Sequence, residues 1–247
     1  GYPSFVSNLQ AWDDADDVLP AFFPPGPTVP VRFDAASATV TNAPSVLVPV
    51  ALLEATFPSL PPIPPPFSTI TVSTSAPWDY DPTDGITPGT VCFRSAILHE
   101  ILHALVFASD VELGLGKPTA MDLLRFQRTT GNPPARDYLD FMTRPRLVDF
   151  NAPNDDAELD LVTWEYAMSD GSPSQGSHFR DETPRIGVMT PVLNTGETFY
   201  PNYALNSDLR VLDALGLDWD DPNLDGLAQP WTSSTLDENP SSALTNR

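Results

Sequence analysis

The sequence predicts an α+β fold with a small mixed sheet, one long buried helix and a loop-rich C-terminal part, and three observations predict it. Residues 96–110, AILHEILHALVFASD, are apolar on nearly every side of a helix yet carry His99, Glu100 and His103 in the middle. Residues 28–34 (TVPVRFD) and 68–74 (STITVST) alternate as short strands do. Residues 129–177 are rich in turn formers and show no sustained period. Together they suggest a single domain over residues 1–221, with an upper part to about residue 110, a lower part over 111–221, and a polar tail at 222–247.

Composition excludes several functions. Asp and Glu number 33 against 12 Lys and Arg, a formal charge of −21. A surface so acidic repels phosphate backbones and anionic lipid, so neither nucleic acid nor a membrane is an expected partner. The longest apolar runs, residues 46–53 and 104–108, are far shorter than the roughly 20 residues a bilayer span needs. Cys92 is the one cysteine, so no intrachain disulfide can form and the thiol reads as a buried, inert one. The sequence starts at Gly1 without Met or a signal segment, which reads as a processed or trimmed N-terminus.

In chain order, residues 13–17 (DDADD) are an acidic turn. Residues 28–34 are a strand that Pro30 places at an edge or a strand start, and residues 37–41 are a second short strand. Residues 46–57 have the apolar content of a helix, which Pro49 restricts to starting near that residue. The proline-rich residues 59–67 form an extended connector. Residues 68–74 put Ile70 and Val72 on one face and hydroxyls on the other, and a turn-rich loop over 76–89 leads to Thr90 as the helix cap. After a loop at 114–118, residues 119–128 (TAMDLLRFQR) read as a second helix, with Thr119 as N-cap and Asp122 completing a capping box. The insertion at 129–177 is mostly loop, a length that points to a functional segment. Residues 207–215 form the last helix, capped by Ser207 and closed by Gly216.

The chemistry rests on the central helix. Two imidazoles four residues apart lie about 40° apart around a helix axis, so they share a face one turn apart. A tetrahedral metal such as zinc takes two ligands from that spacing, with Glu100 beside its open position. Buried ionisable groups are costly unless paired or metal-bound, and chance places this motif in such a chain on the order of one time in a thousand. Hydrolytic zinc wants a third protein ligand. The remaining histidine, His178, follows a glycine- and serine-rich segment able to curl back over the metal, and Asp122 and Glu112 are the carboxylate alternatives.

Beyond the helix, four segments carry a resemblance: WDYDPTDGI at 78–86, SHFRD at 177–181, MTP at 189–191 and DLRVLD at 208–213. With the His-Glu-x-x-His helix, they make the chain similar to metzincin-like zinc metallopeptidases with a long insert before the third histidine, as in the leishmanolysin type. It looks closer still to a group of predicted secreted bacterial metalloproteases. The likeness spans residues 78 to 218. It implies a zincin-like fold, a secreted zinc endopeptidase acting on protein or peptide substrates, His99, His103 and His178 as ligands, Glu100 as general base and Met189 in the Met-turn. Zinc in such a site lowers the pKa of bound water to about 7, and Glu100 accepts its proton during attack on a peptide carbonyl. Asp181 is a candidate to orient a ligand histidine. Tyr200 or Tyr203 is a candidate oxyanion donor, with a structural tyrosine the simpler reading of either.

One departure stands out. Such chains usually carry glycine three residues after the second histidine, where this one has Val106, so the helix is expected to continue at least to Phe107. A second metal, Ca2+, is suggested by Asp221, Asn223 and Asp225 in a D-x-N-x-D-G run, although position twelve is Thr232 in place of Glu. Two rival readings remain. One is a zincin-type hydrolase with a carboxylate third ligand, and the other a non-catalytic surface protein with a structural zinc.

Overall fold

The N-terminal helix α1 (Tyr2–Trp12) exists because Tyr2, Phe5 and Leu9 recur at helical spacing, and all three are buried. It went unread in the sequence, where the expectations begin with the acidic turn at 13–17. The structure, a computed structural model, describes residues 1–12, 23, 26–31, 40–57, 59–127, 157–161, 165–169, 171, 173–199 and 206–217. Strands β1 (Val29–Val31) and β2 (Thr41–Ala43) form an antiparallel pair with Pro30 opposite Asn42. The second strand thus sits later than the expected 37–41. Helix α2 (Val50–Thr56) starts directly after Pro49, as the proline dictates, and buries Leu52.

Residues 68–74 form no strand. Ile70 and Val72 are exposed, and no ladder partner pairs with them among the described residues. Alternation supplies a strand only where a neighbouring edge accepts its backbone bonds. Instead the segment closes into a turn in which the Ser75 amide donates to Ser73 Oγ (3.2 Å) and Trp78 Nε1 donates to the Ser73 carbonyl (2.7 Å). The pairing that does form here is short and parallel, between β3 (Trp78–Asp79) and β4 (Val91–Cys92). Asp79 stabilises the loop between them by accepting from the Asp81 and Thr87 amides at 3.0 and 2.7 Å.

Helix α3 (Phe93–Leu105) runs directly out of β4, so Cys92 rather than Thr90 is its N-cap. Thr90 is spent on the Thr87 carbonyl, 2.6 Å away. At the other end the helix stops at Leu105, two residues short of the expected Phe107. Val106 has φ −145°, so it avoids the glycine conformation as expected, but not by staying helical. The Val106 and Phe107 amides share the Leu102 carbonyl, each at 3.0 Å. The Phe107 ring then packs edge-on against Phe179, with centroids 5.5 Å apart.

A short helix α4 (Asp110–Leu113) follows, capped by Ser109. The expected helix at 119–128 is a single 3-10 turn (Met121–Leu124) that opens into strand β5 (Arg125–Gln127). Its capping box does form, with Asp122 N donating to Thr119 Oγ1 (3.1 Å) and Thr119 N donating to Asp122 Oδ2 (2.9 Å). That local signal cannot distinguish one turn from three. The insertion is not mostly loop where it is described. Its β6 (Ala157–Asp160) and β7 (Glu165–Met168) complete a three-stranded antiparallel sheet in the order β5-β6-β7.

The last helix, α5 (Asn206–Ala214), closes at Gly216, whose φ of +86° lets the Leu217 amide reach the Leu212 carbonyl at 3.0 Å. Ser207 lies inside the helix and donates to the Ile186 carbonyl (2.6 Å), so it is not the cap. One apolar cluster draws on α1, β1, α2, α3, the 3-10 turn, β6, β7 and α5. No described helix is long and apolar enough to cross a membrane. The acidic run 13–17, the C-terminal tail and the candidate calcium residues Asp221, Asn223 and Asp225 lie outside the described residues.

Candidate metal centre

Helix α3 carries His99 and His103 one turn apart, and His178 arrives from the segment that follows β7. His178 Nε2 lies 3.0 Å from His99 Nε2 and 3.2 Å from His103 Nε2. The three ligand atoms lie within 4.8 Å of one another.

Each ring is held from behind by a backbone carbonyl. His99 Nδ1 faces Val188 O at 2.9 Å, His103 Nδ1 faces Phe107 O at 2.7 Å, and His178 Nδ1 faces Gln175 O at 3.3 Å. A carbonyl only accepts, so each Nδ1 carries a proton, and a ring that holds no second proton presents its Nε2 lone pair to the centre. The early end of α3 belongs to this arrangement. A helix continuing through Phe107 would aim that carbonyl along the axis, away from His103.

Burial acts on the same groups. His178 is pushed down to about 4, first by desolvation and then by the neighbouring His103 and His99. Desolvation also lowers His99, opposed by its bond to Val188. Neutral imidazoles with converging lone pairs repel one another unless a shared cation lies between them. Ligand bonds of about 2.05 Å at tetrahedral angles put ligand nitrogens about 3.3 Å apart, close to the 3.0 and 3.2 Å that separate His178 from the other two rings. The donor set therefore fits zinc. Glu100, next along the helix from His99, is exposed.

The turn carrying Met189 adjoins the histidines through Val188, whose carbonyl faces His99 Nδ1. Thr190 N closes on Gly187 O at 3.4 Å, and the Phe179 amide donates to the Met189 carbonyl at 2.8 Å. Met189 is fully buried. The carboxylate of Asp208, on α5, accepts from the Val188 and Met189 amides at 2.8 and 3.0 Å. Burial pushes Asp208 up to about 7 despite those bonds. Gly187 is required at this point, because a Cβ there would stand 2.5 Å from both Asp208 Oδ2 and Ser207 Oγ. Asp208 was visible in the sequence as part of the DLRVLD helix; that it holds the turn bearing Val188, the partner of His99, is a long-range fact.

Other sequence candidates fall elsewhere. Asp181 is exposed and pairs with Arg185 Nη1 at 3.4 Å, while carbonyls take all three positions behind the histidines, so it orients none of them. Asp122 is buried and accepts from Ser109 Oγ, Asp110 N and Thr119 N at 2.7, 2.8 and 2.9 Å. That carboxyl is committed to tying α4 to the 3-10 turn, and the metal-competent group among the described residues does not include it. The side chain of Glu112, and Tyr200 and Tyr203, lie outside the described residues. No family model, no curated protein and no solved structure matches the chain.

Proposed function

We propose that the protein is a zinc-dependent endopeptidase in which His99, His103 and His178 hold the metal and Glu100 is the general base. One observation carries the reading: three Nε2 lone pairs converge at 3.0 and 3.2 Å while every Nδ1 is committed to a backbone carbonyl. A zinc ion there would supply a Lewis acid and bring the pKa of coordinated water to about 7. The chain's own residues have separable tasks. The carbonyls of Val188, Phe107 and Gln175 fix tautomer and ring direction, which makes the imidazoles better donors. Glu100 is on the same helix as two ligands but is not one of them. It is therefore free to take a proton from attacking water and return it to the leaving amine. A purely structural zinc has no use for that carboxylate, which is why an enzyme is preferred to a binding protein. The likeness to metzincin-like proteases, secretion included, belongs to the same proposal, as does Met189 in the Met-turn.

The test is hydrolysis of a mixed peptide substrate by the zinc-loaded protein, with and without a chelator, alongside Glu100→Gln. The expected outcome is chelator-sensitive cleavage, and a variant that keeps its zinc and fold but loses turnover by several orders of magnitude. Near-normal turnover by zinc-loaded Glu100→Gln would overturn the role of Glu100.

A further inference from the structure

The two helical ligands are placed by one turn of α3, but His178 lies 75 residues beyond His103 and needs its own support. Its main chain is held at the end of β7, where Ser169 N donates to His178 O (3.0 Å) and Arg180 N to Ala167 O (2.9 Å). Its imidazole direction depends on a different group, the Gln175 carbonyl. That oxygen accepts from His178 N at 3.1 Å and from His178 Nδ1 at 3.3 Å. Whatever fixes the short turn from Gln175 to His178 therefore aims the third ligand.

That turn is fixed at its next peptide, between Gly176 and Ser177, by a buried guanidinium. Arg125, on β5, is fully buried and donates through Nη1 to the Gly176 carbonyl at 2.6 Å and through Nη2 to the Ser169 carbonyl. One planar fork thus spans both ends of the excursion that delivers His178. Burying a guanidinium is costly unless its donors are used, and a lysine cannot supply two fixed, divergent donors. Gly176 is pinned from its other side by Val111 on α4. A Cβ at Gly176 would lie 2.8–3.0 Å from the Val111 side chain.

We infer that Arg125 is the positioning residue of the third metal ligand, acting through the Gly176 and Ser169 carbonyls with Gly176 seated on Val111. The inference rests on the zinc reading above, and its test separates the two. Zinc affinity is measured by chelator competition, the ligand set by the visible spectrum of the cobalt-substituted protein, and the fold by far-ultraviolet circular dichroism. Wild type, Arg125→Lys, Gly176→Ala and His178→Ala are compared.

The expected result is a folded Arg125→Lys whose zinc affinity falls 10–100-fold and whose cobalt spectrum moves toward that of His178→Ala. Gly176→Ala, which displaces the same turn without altering the guanidinium, should do likewise and stands in if Arg125→Lys does not fold. Wild-type affinity and spectrum in a folded variant, with only a lowered melting temperature, would overturn the inference. So would failure of both variants to fold, since Arg125 would then hold the fold rather than the ligand. A wild-type chain that binds no zinc would instead remove the functional reading itself.

Discussion

His178 is buried with two other imidazoles facing it, and its ionisation should be visible in the stability of the metal-free protein. Its pKa is held near 4 in the fold against 6.5 for an ordinary histidine. Between those values the unfolded chain binds the extra proton, so this group stabilises the fold fully above pH 6.5 and loses that contribution as pH falls through 4. The size is roughly 3 kcal/mol. Melting curves of metal-free protein from pH 7 to 4 should therefore fall more steeply than those of His178→Asn, and identical slopes would contradict a neutral, buried imidazole. At this scale the sequence was most informative. The spacing of His99, Glu100 and His103 is a local pattern, and His178 was the only histidine left. Asp208 and Arg125 were not legible as supports, because Asp208 acts on backbone groups 19 and 20 residues away and Arg125 on groups 44 and 51 residues away. Asp181 looked suited to a ligand-orienting role by nearness in sequence, yet backbone carbonyls took that role.

Among the elements, α3 was readable because its apolar content is dense and its length suits a helix. Its end was not, because the Phe107 carbonyl is drawn to His103 and the Phe107 ring to Phe179, neither of which is a helix signal. Residues 68–74 show the converse, a good strand pattern with no edge to join. At 119–128, a real capping box supports only one turn before Arg125 turns to the insertion. The α3 end carries a prediction. Val106 is fully buried with negative φ, so glycine offers no relief of strain there. Val106→Gly should destabilise the protein by about 2–4 kcal/mol through lost packing and added backbone freedom. Denaturant unfolding that showed a gain in stability would mean that the turn is strained in the native chain.

Across the whole molecule, one apolar cluster joins the N-terminal helix, α3 and the sheet of the insertion, so the helix bearing His99 and His103 and the sheet leading to His178 share a core. The chain carries a formal charge of −21, and like charges at this density oppose compaction. Moderate salt shortens the Debye length to about 10 Å at 0.1 M and should relieve the repulsion. The melting temperature should rise by several degrees between 10 and about 200 mM sodium chloride. A flat or falling curve would show that acidic side chains are compensated locally.

The central claim is that three histidines, one of them distant, make a single zinc site. Its most direct measurement is the zinc content of purified wild type and His178→Ala after dialysis against a weak chelator. The account predicts near one zinc per chain in the wild type and near none in the variant, with both proteins folded. One tightly held zinc per chain in His178→Ala would contradict it and return the third position to a carboxylate.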